Sequence, residues 1–348
     1  MPGKPEETMA RFRFVLLGTG FFARKWLETL KSRGDCEVVG IASRAAGRAE
    51  ELKRDFDLPG AVVYPSWEAA TEKGAADGML ITLPQMLHPQ ATIRALQAGL
   101  HVLVEKPLSL DLASARTVYE EARRHPNLAV MVNQNYRWRP HIQALRRGIR
   151  EGRVGRVGHV MFDVRQQIRR KTVDRWRETM PEPFLLDFAI HHFDLMRYLT
   201  GEEATRVIGQ SFRPSWSWFD SHTAAAAIIG MRGGAVVDFG GTMVSLGLET
   251  PQEGLITVIG ENGTLQLDGM SQVTLHGQGD ARTLPQEPIP GGELGHALAE
   301  FLGAVREGRQ PETHLAEHIR SLALPLAVVE SSRRGDPMEV AELIGFLE

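Results

Sequence analysis

Cysteine is nearly absent from this chain of 348 residues: Cys36 is the only one. No intrachain disulfide can form, the fold depends on its core, and a reducing compartment, the cytoplasm, is the expected location. Charge of one sign is missing as well. Lys and Arg number 40 against 43 Asp and Glu, a net charge of −3 with His neutral, and no long Lys/Arg block occurs. That excludes a polyanion-binding surface, which needs clustered positive charge to neutralise phosphates, so no nucleic-acid partner is expected. No apolar run approaches the roughly 18 residues needed to cross a bilayer, and no membrane span is expected. The stretch Met1 to Arg11 lacks the apolar centre of a signal peptide and reads as a loose lead-in. Internal repeats and low-complexity tracts are also lacking.

What is present is the balance of an ordinary globular protein, 43% hydrophobic and 24% charged residues. The length suggests two domains of roughly 100 to 200 residues each. From Phe12 short β-rich runs alternate with helix-like segments: Phe14 to Leu17, Ala23 to Arg33, Val38 to Ala42, Ala46 to Phe56, Val62 to Tyr64, Trp67 to Lys73 and Gly78 to Leu83. The rhythm continues through Pro89 to Ala98, His101 to Val104, Ala113 to Arg124 and Leu128 to Val132. Apolar strands separated by helices predict a doubly wound parallel sheet, an α/β Rossmann domain over residues 10–132. After Asn133 the texture changes. A basic helix from Pro140 to Glu151, a strand-like run from Gly158 to Gln167 and a conspicuous helix from Phe184 to Leu199 are followed by strands at His222 to Met231, Ala235 to Val244, Leu255 to Gly260, Thr264 to Asp268 and Val273 to His276, with Gly-containing turns between them. Two helices, Glu293 to Glu307 and Leu315 to Ser332, close the chain. Residues 133–348 are therefore expected to form an α+β domain with a large, mainly antiparallel open sheet.

Gly18-Thr19-Gly20-Phe21-Phe22-Ala23 lies between the first strand and the first helix, where a dinucleotide turn belongs. Gly18 permits the bend, Gly20 lets the backbone approach a pyrophosphate, and Ala23 allows close packing of helix on strand. About 20 residues on, an NAD-binding chain would carry Asp or Glu for the ribose; here the sequence is Ala42-Ser43-Arg44, with Arg48 one helical turn later. Two arginines suit a 2′-phosphate and favour NADP over NAD, although both also read as solvated residues at a helix start. Thr82-Leu83-Pro84, with His88 beyond it, and Glu105-Lys106-Pro107 each follow an apolar strand, at the sheet edge where ligands bind. Taken alone, Lys106 would read as a surface lysine after a strand. In the helix from Phe184, Asp187, His191 and Asp194 are spaced i, i+4, i+7 and are expected on one face, the carboxylate orienting the imidazole. A metal shell of Asp187, His191, His192 and Asp194 is the weaker reading, since His192 lies about 100° around the helix from His191, and no metal is expected.

These motifs together resemble the Gfo/Idh/MocA family of oxidoreductases. The likeness is carried by the glycine turn, Thr82-Leu83-Pro84 with His88, Glu105-Lys106-Pro107, Asn133-Gln134-Asn135-Tyr136-Arg137, Glu151-Gly152-Arg153-Val154-Gly155 and the segment Leu186 to Asp194. The resemblance implies that Lys106 and His191 act as acid and base and that Asp187 orients substrate or relays a proton. It also implies that Gln134, Tyr136, Trp176 and Arg177 lie near cofactor and substrate. Pro181-Glu182-Pro183-Phe184 replaces the family's Gly-rich run and Ala189 its usual Gly, which alters the substrate pocket.

The implied activity is NAD(P)-dependent hydride transfer at a hydroxyl or carbonyl carbon of a sugar, polyol, inositol or related cyclic alcohol. The alternatives are a cofactor-binding regulator without turnover and a dehydrogenase or reductase of a non-sugar such as a dihydrodiol. Trp216-Ser217-Trp218-Phe219 reads as core or as a subunit-interface anchor, the interface favoured, in preference to a sugar-stacking platform. A homodimer or homotetramer through the second-domain sheet is expected.

Overall fold

A computed structural model describes residues 11–71, 76–170, 175–277 and 279–347. Part of the expected lead-in, and Lys73 at the end of the expected third helix, lie outside the described residues. The chain forms two compact units. The first comprises residues up to Ser109, Ala113–Asn133 and Leu294–Leu315; the second comprises Leu110–Leu112, Gln134–Glu293 and Ala316 onward.

The first unit holds β1 (Phe12–Leu17), α1 (Phe21–Lys31), β2 (Cys36–Ala42), α2 (Ala46–Asp55), β3 (Val62–Tyr64), α3 (Trp67–Thr71), β4 (Gly78–Ile81), α4 (His88–Gln97), β5 (His101–Val104), α5 (Leu112–Arg124) and β6 (Val130–Val132). The six strands are parallel in the order β3-β2-β1-β4-β5-β6. They are apolar throughout because both faces of the sheet are covered: Phe14, Leu16, Leu17, Met79, Leu80, Val102 and Leu103 are buried. The order reverses between β1 and β4, which places a ligand crevice at the carboxyl ends of those two strands.

The segment 294–315 was expected in the second domain but clusters with the first, and packing explains the difference. Phe301 sets its ring edge-on to Phe12 at 5.8 Å and lies 5.9 Å from Phe14. Thr313 and His314 run beside the edge strand β6: the Val132 amide donates to Thr313 O at 3.0 Å, and Met131 bridges His314. The edge that β6 would otherwise leave open is thereby covered.

The second unit contains α6 (Pro140–Arg150), β7 (Val157–Arg165), α7 (Arg175–Glu178), α8 (Ile190–Thr200), β8 (Ala204–Phe212), β9 (Ala224–Met231), β10 (Val236–Thr242), β11 (Leu255–Gly260), β12 (Gly263–Leu267), β13 (Val273–His276) and β14 (Arg282–Thr283). Beyond α9 (Gly292–Glu307) come α10 (Leu315–Arg334), β15 (Met338–Glu339) and α11 (Val340–Ile344). Nine strands make one open sheet, β14-β13-β12-β11-β7-β10-β9-β8-β15, antiparallel except where β7 pairs with β10. Strand β8 is hard to see in the sequence because Arg206, Gln210 and an exposed Ile208 blur its alternation. One face of the sheet buries Val160, Phe162, Val207, Ile229, Val237 and Phe239 in the unit's core. The other leaves Met161, Ile208, Ile228, Val236 and Ile259 exposed.

Of the aromatic cluster, Phe219 is fully buried and stacks on Trp218 at 3.7 Å, so it belongs to the core, while Trp216 is largely exposed. The helix expected from Phe184 to Leu199 is interrupted. Phe184–Phe188 forms a π-helical turn, closed by the Ala189 amide on Phe184 O at 2.7 Å, before α8 begins at Ile190. The wider turn shifts the rotational register, so Asp187 is not related to His191 and Asp194 by simple α-helical spacing.

Candidate active site

In the first unit β1 runs into Gly18, whose φ of +110° excludes other residues; a Cβ there would stand 2.7 Å from the Thr82 carbonyl oxygen. Thr82 fastens the turn by donating both its amide, at 2.8 Å, and its hydroxyl, at 3.0 Å, to Leu17 O. Gly20 is the N-cap of α1. No atom comes within 4 Å of the place its Cβ would occupy, no side chain caps the helix, and its first turn holds no acidic residue. Unclaimed amides at a helix start over open space form a cradle that fits the pyrophosphate of a dinucleotide. Ala23 is fully buried against the sheet, whereas Phe21 is exposed and meets Phe22 edge-on.

Thr19 and Ser43 bring their hydroxyls within 3.2 Å, joining the glycine turn to the end of β2. Arg44 and Arg48 follow, both exposed and without an ion pair among the described residues. Neither arginine is consumed by the fold.

Leu83 and Pro84 are half-buried beside Thr82, while His88 is buried and occupied by the backbone. Its ring nitrogens lie 2.8 Å from Pro107 O and 2.8 Å from Leu83 O, so it ties the chain leaving β4 to the chain leaving β5. Glu105 is likewise a structural peg. Its Oε1 accepts from Trp26 Nε1 at 2.7 Å and Asn133 Nδ2 at 2.9 Å; burial raises its pKa, with those two donors opposing the shift. Lys106, half-buried, stands between Glu105 and the cis bond to Pro107. Trp26 and Asn133 were not expected as partners of Glu105, since nothing in their local pattern announces a contact so distant in the chain.

In the second unit the imidazole of His191, 5% exposed, lies flat on the Tyr136 ring, with centroids 3.9 Å apart and planes 7° apart. The Arg139 guanidinium lies 3.5 Å over the same ring, and the Tyr136 hydroxyl donates to Gln252 Oε1 at 3.3 Å. Burial pushes the phenol up to about 12 and keeps it neutral. His191 Nδ1 meets Gln134 Oε1 at 3.0 Å, and Gln134 Nε2 meets His318 Nδ1 at 3.2 Å. His318, on α10, was not anticipated; burial lowers its pKa to about 4.

Asp187 pairs with Arg177, Oδ2 to Nε at 3.0 Å, and Arg177 lies 4.9 Å over Trp176. Asp194, expected beside His191, instead accepts two bonds from Arg137 at 2.6 Å each and one from Ser321 at 2.8 Å. The expected common face is therefore divided. The Nδ1 position expected to face a carboxylate is held by an amide. His192 Nε2 donates to Gln252 O at 2.9 Å, and burial lowers the pKa of this ring to about 4. Among the described residues no three His, Cys, Asp or Glu converge as a metal shell, and no helix is long and apolar enough to cross a membrane.

Comparison with known proteins matches residues 12–134 to the GFO/IDH/MocA oxidoreductase family with an NAD-binding Rossmann fold, and residues 142–266 to the GFO/IDH/MocA C-terminal domain. D-apiose dehydrogenase of Paraburkholderia graminis is 27% identical, over 97% of this chain and 92% of its own. The 1,5-anhydro-D-fructose reductase of Ensifer adhaerens is 26% identical, over 94% and 98%. An oxidoreductase from Agrobacterium radiobacter, solved with NAD+, L-tartaric acid and magnesium, superposes with a TM-score of 0.88 over 96% of this chain and all of that one. At 19% identity it shares the fold.

Proposed function

Because the chain belongs to the Gfo/Idh/MocA family of oxidoreductases, we propose that it moves a hydride between a nicotinamide dinucleotide and a hydroxyl- or carbonyl-bearing carbon of a sugar, polyol, inositol or related cyclic alcohol. The observation that carries this reading is the His191 assembly. A nearly buried imidazole, stacked on a neutral phenol and hydrogen-bonded through Nδ1 to an amide, is held rigidly enough to move a proton at one defined nitrogen. The relatives named for D-apiose and 1,5-anhydro-D-fructose support a polyhydroxylated substrate.

When bound, nicotinamide supplies or accepts the electron pair that interconverts carbinol and carbonyl. The remaining work falls to the chain. The cradle at Gly18, Thr19, Gly20, Phe21, Phe22 and Ala23 binds pyrophosphate, with Thr82, Leu83 and Pro84 forming its wall. His88 and Glu105 act behind it, holding the backbone on either side of Lys106. Lys106 Nζ or the His191 imidazole takes the hydroxyl proton in oxidation and gives it back in reduction. Asp187, with its charge balanced by Arg177, accepts hydrogen bonds from substrate hydroxyls, and Trp176 and Arg177 shape the pocket.

The test follows reduced-nicotinamide absorbance with NAD and NADP across aldoses, polyols, inositols and their keto forms. Turnover on one of these classes is expected. Cofactor binding with no turnover anywhere on the panel would withdraw the reading in favour of a regulator or a non-sugar substrate.

NADP is the proposed cofactor, because Ser43, Arg44 and Arg48 stand where a ribose-binding carboxylate would discriminate against it. Arg44→Asp is expected to weaken NADPH binding by roughly 10- to 100-fold, the loss of a charge-assisted contact, while NADH affinity holds. Equal changes for both cofactors would remove the argument.

We also infer a homo-oligomer through the outward sheet face. Ile208 and Ile228 are direct cross-strand neighbours on it, and Met161, Val236 and Ile259 extend the apolar surface over β7, β10 and β11. A monomer mass by light scattering would exclude this.

A further inference from the structure

We propose that Gln134, itself held by His318, locks the His191 imidazole in the tautomer that carries its proton on Nδ1 and keeps the lone pair on Nε2. The catalytic importance of this lock rests on the proton-transfer role proposed for His191; the lock itself does not.

A carboxamide has one accepting end and one donating end. In this structure the accepting end, Oε1, faces His191 Nδ1 at 3.0 Å, and the donating end, Nε2, faces His318 Nδ1 at 3.2 Å. An oxygen that can only accept requires a proton on His191 Nδ1. The orientation of the amide is matched at its other end by His318. That ring is fully buried, among Asp194, Arg137, Arg197 and Glu317, and burial is the largest influence keeping it neutral at ordinary pH. A neutral imidazole with Nδ1 toward an NH2 group accepts there. Reversing Gln134 would require both rings to change tautomer together, His318 donating from Nδ1 and His191 accepting at Nδ1, so the amide couples the two rings. Gln134 is 1% exposed, so water does not compete for either end. An unpartnered histidine side chain favours the opposite tautomer, with the proton on Nε2, and so could not accept a proton there. Gln134 and His318 are thus positioning residues. They act through His191 and set which nitrogen is basic.

Long-range 1H–15N correlation spectra of the full-length protein labelled with 15N-histidine read the tautomer directly, with the His191 signal assigned by its loss in His191→Asn. The wild type is expected to show a protonated Nδ1 and an unprotonated Nε2. Gln134→Leu and His318→Leu are expected to shift His191 toward the Nε2-protonated form and to lower kcat by roughly tenfold or more, and in His318→Leu cofactor affinity is expected to hold. Gln134→Glu can still only accept from Nδ1, and His318→Asn can still offer an acceptor to the Gln134 amide. Both are expected to retain the wild-type tautomer.

An unchanged tautomer in folded Gln134→Leu protein overturns the lock, whatever happens to the rate. A shifted tautomer with unchanged kcat leaves the lock standing and removes His191 from the reaction, so the two failures are separable. If Gln134→Leu does not fold, the comparison of His318→Leu with His318→Asn decides the question in the same way.

Discussion

Replacing Lys106 with alanine is expected to lower kcat by about 10²- to 10⁴-fold, the range associated with removing a positioned acid or base, while the dissociation constant of the dinucleotide changes little. The separation of the two effects comes from the architecture of the first unit. Pyrophosphate recognition is assigned to backbone amides at the start of α1, beyond a turn fixed by Gly18 and Thr82, and none of these contacts involves the lysine side chain. The backbone that carries Lys106 is anchored without it, by Glu105 on Trp26 and Asn133 and by His88 on Pro107 O, so truncation should leave the local fold in place. Lys106→Arg is not expected to rescue turnover, because a guanidinium keeps its charge but does not release a proton in the working pH range. Stopped-flow absorbance for the chemical step, alongside fluorescence titration of the reduced cofactor, distinguishes the cases. Turnover persisting within a few-fold of wild type would sink the assignment of proton transfer to this residue.

Asp194→Ala is expected to destabilise the second unit by about 3–5 kcal/mol, the loss that accompanies stripping one partner from a buried ion pair. Asp194 and Arg137 are both almost wholly buried and share two bonds of 2.6 Å. Around them Arg137 also reaches Glu317 at 2.8 Å, Arg197 pairs with Glu317 at 3.0 Å and Glu203 at 2.7 Å, and Ser321 joins Arg197 to Asp194. Removing Asp194 leaves the guanidinium of Arg137, which this network holds firmly protonated, desolvated and only partly compensated.

Acid should attack the same region. Burial alone would raise Glu317, yet Arg197 and Arg137 hold it down to about 2, against an ordinary 4.5. A depressed carboxylate contributes stability that is complete above its ordinary pKa and is lost as pH falls through that window toward its folded value. His318 and His192, held near 4 against an ordinary 6.5, add a loss that begins earlier, as the unfolded chain takes up protons that the native state refuses. Denaturant midpoints measured at about pH 7, 5 and 4 should therefore decline continuously, and a flat profile between pH 7 and 4 would contradict the assignment of these groups. For the variant, a stability within about 0.5 kcal/mol of wild type would show that the pair contributes nothing net.

Much of the first unit could be read from local pattern. The strand, glycine turn and helix of residues 12–31 need only the apolar run Phe14 to Leu17, the bend at Gly18 and the small Ala23, all neighbours in the chain. The parallel arrangement is dictated because apolar strands separated by helices can be buried in few other ways. The site in the second unit was legible only in part. His191 and Gln134 were recognised by motif, but their contact spans 57 positions of chain, and that of Gln134 with His318 spans 184. No spacing rule reaches so far. The π-helical turn at Phe184–Phe188 also defeated the helical periodicity used to place Asp187, because one extra residue in a turn rotates the residues before it relative to those after it.

Local sequence was enough to establish the class of this protein, a dinucleotide-binding parallel sheet preceding an antiparallel one, because hydrophobic period, turn chemistry and residue type act over a few neighbouring positions. The roles proposed for Lys106 and His191 came from family resemblance and not from local pattern. How those residues are held was settled by long-range packing alone. It turned His88 and Glu105 into pegs for the Lys106 backbone, sent Asp194 to Arg137 instead of His191, moved residues 294–315 into the first unit and supplied His318 behind Gln134. The physical reason is shared by the polar contacts among these. A buried polar group must find a partner of matching donor or acceptor character, and which group meets that requirement depends on how distant segments pack.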